Sequence, residues 1–459
     1  MSAAESANGS ATEPGITSAA ARTTYDAAAV AALAEQSVSW QDKAVPPAWW
    51  GRRITDILAE KPRLSALPTP LLTLSATGMR HNLTTMAGWC AEHGVELAPH
   101  GKTTMAPALW AAQLDAGCWA ITLANGFQLG VARAYGVARV IVANEVISPL
   151  QLRWIADELA ADPAFEVFVW ADSVRTVELM EAARSAYVGP DARPLDVLVE
   201  VGGANGRTGV RDTGTGVAVA KAIADSSTLR LAGVAGYEGA IARGADEAGL
   251  EHVRAYLRDL AAIHLRAQED GLYDEGVVPV VSAGGSAYFE QVAKVLAPLG
   301  ETGARVVLRS GAYIAHDDGY YREISPLGSH PRTDGDRLVP AMHGWVRITS
   351  QPEPGLAIFD AGKRDLPFDE GLPEPQLLRP RSPGEAPARL DGMTVVKVND
   401  QHGFLRFDEA GPAPLVIGDE LRVGLSHPCT AFDKWGLIPV VDDPDAEDPV
   451  VVDLVRTFF

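Results

Sequence analysis

The spacing of hydrophobic positions changes along the chain, and the change divides it. Between about residues 66 and 315, short β-branched apolar runs alternate with longer Ala- and Leu-rich stretches of helical spacing. This is the pattern of βα units on a parallel sheet. Nine runs read as strands: LLTLS from Leu71, VELAP from Val95, WAITLA from Trp119, RVIVAN from Arg139, FEVFVWA from Phe165, LDVLVEV from Leu195, RLAGVAGYE from Arg230, VVPVVSA from Val277 and RVVLRS from Arg305. The first runs straight into the helix-like MRHNLTTMAGWCAEHG. Setting it aside leaves eight repeats, the number that closes a TIM-type (β/α)8 barrel. No G-x-G-x-x-G follows any strand, and VGGANGRTGV has the wrong spacing for a dinucleotide turn.

Beyond residue 320 the runs become short and strand-like (LVPAMHGWVRITS, GLAIFDAGK, MTVVKVND, HGFLRF, ELRVGL), with Pro, Gly and Asp turns between them. They predict a second, smaller antiparallel β domain. The Pro-dense stretch from Pro373 to Leu390 reads as an exposed loop or linker. The opening residues are rich in Ala, Ser, Thr and Gly and lack the charged-then-apolar order of a secretory leader. A disordered tail is expected there, with a short Ala-rich helix over Tyr25 to Gln36. The expected organisation is therefore a tail over 1–40, a barrel with its leading strand and helix over 41–320, and a β domain over 321–459.

Length and charge narrow the function classes. At 459 residues the chain exceeds one ordinary core. No apolar run approaches the roughly 20 residues that span a bilayer. With 39 Lys and Arg against 59 Asp and Glu, the net charge of −20 repels a nucleic-acid backbone. Three cysteines without a C-x-x-C pair make no disulfide framework, so a reducing cytoplasm is expected.

Candidate chemistry sits at strand ends, which face the active site in a barrel of this kind. The first barrel strand ends in APHGKTTMAP, placing Lys102 at the rim after a Pro-His-Gly bend. Spacing alone leaves it either a solvated lysine or a functional amine. Its neighbour His100 either tunes that lysine or packs in the bend. Arg207 follows LDVLVEV, and Tyr237 ends the next strand as an aromatic that either fills the mouth or touches a ligand. Gly284, Gly285 and Ser286 form a turn whose N–H groups and hydroxyl suit a phosphate, and Ser310, Gly311 and Tyr313 end the eighth strand. Near the C terminus, His427 and Cys429 stand two residues apart, on one side of an extended segment. They read either as a buried thiol beside a histidine or as metal ligands.

PHGKTTM resembles the cofactor-lysine motif of the D-serine dehydratase and D-threonine aldolase group, pyridoxal-phosphate (PLP) enzymes of the alanine-racemase fold. The resemblance runs in order through most of residues 66 to 440. Ala98 stands where that group often has Arg, as in the branch called cryptic D-serine dehydratases, and Gly202 stands where EVGGANGRTGV usually has Asp. The resemblance implies that Lys102 holds PLP and that Arg207 faces the pyridine nitrogen. It implies that Tyr237 and His100 lie near the cofactor, and that Gly284, Gly285, Ser286, Ser310, Gly311 and Tyr313 form the phosphate cup. It also implies zinc or another divalent metal on His427 and Cys429, the group having His-x-Cys in dehydratases and His-x-Asp in aldolases.

The expected activity is β-elimination of a small β-hydroxy D-amino acid, D-serine giving pyruvate and ammonia, with Lys102 and Tyr237 in catalytic positions. D-threonine or 3-hydroxyaspartate aldol cleavage, amino-acid racemisation, a non-catalytic PLP carrier and a cofactor-free structural barrel are the alternatives. A homodimer is expected from related enzymes, with the metal pair serving either its own or the partner's site. Membrane and nucleic-acid partners are not expected.

Overall fold

Eight of the nine predicted runs form one ring. The computed structural model describes residues 24–204, 206–242, 244–380, 382, 384–409 and 415–459. In chain order the strands are β1 (Leu71–Ser75), β2 (Glu96–Leu97), β3 (Ile121–Leu123), β4 (Arg139–Glu145), β5 (Glu166–Ala171), β6 (Leu195–Val201), β7 (Leu229–Gly236), β8 (Val280–Ala283) and β9 (Arg305–Leu308). β3 to β9 pair in parallel in sequence, and β2 pairs with β9. The ring closes where the Trp119 N–H donates to the Leu97 carbonyl at 2.7 Å and the Thr122 N–H to the Pro99 carbonyl at 2.9 Å.

The strands read as continuous apolar runs because both faces are buried. In β6 every residue is buried; Leu198 points into the barrel with Phe168, Trp170 and Val280, while Val197 and Val199 join the shell beneath the helices. The barrel is thus a packed core with its functional surface at one end. Gly233 allows β7 to slip register against β6. Its φ is +141°, and a Cβ there would come 1.9 Å from the Val280 carbonyl oxygen.

The remaining strands are β10 (Met342–Glu353), β11 (Leu356–Phe359), β12 (Glu374–Leu378), β13 (Ala388–Arg389), β14 (Thr394–Val398), β15 (Gly403–Arg406), β16 (Glu420–Gly424), β17 (Leu437–Val441) and β18 (Val451–Arg456). They build the second sheet, antiparallel except where β1 and β17 run together.

Three expectations need correction. First, β1 belongs to this second sheet, between β10 and β17, and residues 38–71 pack a separate small core against Trp345, Leu437 and Leu454. An apolar run does not reveal which sheet it joins. Second, the stretch expected as a linker contains β12 and β13; Leu377 and Leu378 are buried, and Pro375 is accommodated at a register shift against β16. Third, within the expected tail, residues 1–23 lie outside the described residues, but the following segment docks on the barrel. Asp26 caps a helix over Ala27–Ala31, and its N–H donates to the Tyr135 carbonyl at 2.8 Å. Among the described residues no helix is long and apolar enough to cross a membrane.

Candidate active site

At the carboxyl ends of the barrel strands lies a cavity of about 320 Å3, lined from both sheets. Its floor on one side is the turn after β2. There the chain makes a single 3-10 turn, Gly101–Thr103, locked when Trp110 Nε1 donates to the Gly101 carbonyl at 3.1 Å. A side chain at Gly101 would meet Trp110 and Ile121 at 2.7 Å, so the turn lies tight on the barrel and projects Lys102 into the cavity. Burial lowers the Lys102 pKa below its ordinary value, and the Arg207 and Arg309 charges add to this against the opposing pull of Cys429. His100, also at the wall, is held neutral chiefly by burial; its Nδ1 has no partner.

The predicted phosphate cup divides. Ser286 and Gly311 line the cavity, with Ala312 beside them. Gly285 also lines it, but its N–H donates to Glu238 Oε1 at 2.6 Å and that of Gly284 to Oε2 at 2.9 Å. These two amides, expected to face a phosphate, are thus taken by a buried carboxylate of the same chain. Burial pushes the Glu238 carboxyl up, opposed by those amides. Ser310 donates to the Gly284 carbonyl at 3.1 Å, behind the wall. Tyr313 turns into the core, where Gln113 and Cys118 engage its hydroxyl. Ser310 and Tyr313 therefore lie outside the cavity lining, because the chain turns inward after β9 instead of following the rim, and Gly284, after β8, lies outside it with its N–H on Glu238.

Arg207 sits over the Tyr237 ring at 4.7 Å, and both line the cavity. Acidic groups from two strand ends hold the Arg207 segment. Thr208 donates to Glu200 Oε1 at 3.0 Å, and the Gly209 N–H donates to Asp172 Oδ2 at 3.1 Å. Glu145 completes a group with Glu200 and Asp172 that could hold a cation. Its own carboxyl is pushed up to about 8 by burial and by the neighbouring Glu200. Gly202 is explained here: a Cβ at this position would come 2.1 Å from the Thr208 carbonyl oxygen.

The second sheet supplies the other side. The helix Pro428–Phe432 brings Cys429 onto the lysine turn, its Sγ 3.3 Å from Thr103 Oγ1. Burial pushes the Cys429 thiol up, but hydrogen bonds from His427 and Thr103 and the nearby Lys102 leave it below its ordinary value. His427 also lines the cavity, its Nδ1 2.6 Å from Asp369 Oδ2 and its ring engaged with Cys429. The His427/Cys429 pair therefore lies beside Lys102 of the same chain.

These residues fit the two groups that the resemblance implies. A buried amine of lowered pKa, beside a small-residue cradle at Ser286 and Gly311, suits PLP. Adjacent imidazole and thiolate donors suit a soft divalent metal such as zinc. Sequence reasoning missed several cavity residues. Arg309 and Glu200 stand out in retrospect as charges at the carboxyl ends of apolar barrel strands. Arg309 is fully buried, donating to Ser282 Oγ at 2.5 Å, with its guanidinium 5.0 Å from the Trp170 ring centre. Tyr321 and Asp369 gave no such signal.

The chain matches the family described as putative serine dehydratase domain over residues 341–441. It is 26% identical to D-threonine aldolase of Arthrobacter sp over 84% of this chain and 92% of that protein. It is 28% identical to 3-hydroxy-D-aspartate aldolase of Paracoccus denitrificans (strain Pd 1222), over 79% and 86%. Among solved structures, D-threonine aldolase from Filomicrobium marinum superposes with a TM-score of 0.69 at 25% identity, covering 86% of this chain and 96% of that one. D-threo-3-hydroxyaspartate dehydratase from Delftia sp. HT23 shares the fold, with a TM-score of 0.66 at 20% identity over 86% and 99%. The chain is thus similar over most of its length to D-threonine and 3-hydroxy-D-aspartate aldolases, carries a stretch that matches the serine dehydratase family, and has the alanine-racemase fold.

Proposed function

We propose that the protein is a PLP-dependent lyase of small β-hydroxy D-amino acids, cleaving the Cα–Cβ bond of a substrate like D-threonine or 3-hydroxy-D-aspartate. The observation that carries this reading is the convergence of Lys102, His427 and Cys429 on one cavity from two sheets. The names of the long-matching relatives support the substrate class.

PLP supplies an electron sink for the pair left on Cα, and a divalent cation at His427 and Cys429 supplies a Lewis acid for the β-hydroxyl. Lys102, its amine depressed by burial, is the residue that bonds the cofactor. Its free amine would be placed to hand a proton to Cα after cleavage. Ser286 and the backbone at Gly311 and Ala312 would hold the phosphate, while Glu238 fixes the Gly284–Gly285 turn from behind. Arg207, which can only donate, would meet the ring nitrogen and keep it unprotonated, and Tyr237 packs beneath Arg207.

A second reading, β-elimination, is favoured by one observation: two positions after His427 stands the thiol of Cys429, where the resemblance gives aldolases a carboxylate. Lys102 then takes the Cα proton instead of giving it. Incubating PLP-loaded protein with D-threonine separates the two. Glycine and acetaldehyde in equal amounts support aldol cleavage; 2-oxobutanoate with ammonia selects elimination. No turnover of either D-threonine or 3-hydroxy-D-aspartate would overturn both.

A further inference from the structure

The backbone at His427 has φ +60° and ψ +85°, a left-handed conformation that is unfavourable for a non-glycine residue. Two carboxylates from distant parts of the chain hold it. Asp317, fully buried, accepts the His427 N–H at 2.8 Å while also accepting those of Gly319 at 3.0 Å and Tyr321 at 2.8 Å. Asp369 takes the ring: its Oδ2 lies 2.6 Å from His427 Nδ1, and its Oδ1 accepts from Thr430 Oγ1 at 2.7 Å. Both oxygens of Asp369 are thus occupied by the segment that carries Cys429.

We infer that Asp369 is the positioning residue of the metal pair, fixing the His427 tautomer so that Nε2 shares one ion with Cys429 Sγ. This rests on the reading of His427 and Cys429 as metal ligands. Nδ1 is committed to the carboxylate, so only Nε2 is left to ligate. A hydrogen-bonded carboxylate also makes the imidazole a better donor. Thr430, one turn into the same short helix, keeps the carboxylate from rotating away.

The test is zinc affinity of the PLP-loaded full chain, measured by competition with a chromophoric chelator, for wild type and for Asp369→Asn, Asp369→Glu and Thr430→Val. Removing a carboxylate of this kind weakens a site by about 10–100-fold. The Asn variant is expected in that range, the Glu variant between it and wild type, and the Thr430 variant a few-fold weaker. The visible cofactor band should stay unchanged, and at saturating cobalt(II) the thiolate-to-metal absorption should persist. If wild type binds zinc and the Asn and Val variants bind it equally well, Asp369 does not position the site and this inference falls alone. If wild type takes up no zinc, the metal reading falls and carries the inference with it.

Discussion

The two sides of the cavity are built in opposite ways. On the barrel side, Lys102 is placed by its own neighbours: a strand, one 3-10 turn, and Trp110 only a few residues on. On the second-sheet side, His427 and Cys429 are placed by groups far away in sequence, Asp317, Asp369 and Thr103. A locally built site can be read from a short string of letters, whereas a remotely built one needs the fold. The second kind is also the more breakable, since the holds from Thr103 and Asp317 depend on how the two sheets sit together.

The largest expected effect tests the local side. Lys102→Ala should abolish the covalently bound cofactor band and lower turnover by at least about 10²–10⁴-fold, the usual weight of an acid–base group; an unchanged spectrum after borohydride treatment and dialysis would contradict it.

Next comes the seam between the sheets. His316, after β9, and His343, on β10, are each held neutral by burial, with pKa values of about 3. Their folded values lie below the ordinary 6.5, so the unfolded chain binds more protons between those limits. Their stabilisation is therefore complete above pH 6.5 and lost as pH falls toward 3, at about 1.4 kcal/mol per unit for each histidine that stays neutral. Melting curves from pH 7 to 4 should show an acid loss that His343→Gln reduces.

A smaller effect is expected from Gly311→Ala. The added Cβ would come 2.6 Å from the His100 carbonyl oxygen, so the phosphate end must shift, costing about 1–3 kcal/mol and weakening PLP retention in a dilution assay. The smallest belongs to Glu145→Gln. With its carboxyl pushed up to about 8, Glu145 is already largely neutral at pH 7, and the amide should change the melting free energy by no more than about 0.5 kcal/mol.

The same contrast explains what the sequence could say. The barrel strands were legible because burial on both faces leaves an uninterrupted apolar run, as in LDVLVEV. LLTLS looks identical yet pairs with β10 and β17, since nothing in five apolar residues names their partners. The lysine turn was legible as a contiguous motif, and so were Arg207 and Tyr237. The phosphate cup was legible only in part. Whether Gly284 and Gly285 offer free amides depends on Glu238, 46 and 47 residues earlier. Whether Tyr313 faces the cavity depends on how the chain turns after β9. Asp369 was invisible for the same reason, lying 58 residues from the histidine it holds.

The most direct test of the central claim, that cofactor and metal act on one substrate across this cavity, is D-threonine turnover by PLP-loaded protein before and after zinc removal. The account predicts that turnover falls by about 100-fold or more, corresponding to several kcal/mol of lost Lewis-acid stabilisation, that the cofactor band survives, and that added zinc restores activity. Full turnover by protein verified to be free of metal would contradict it.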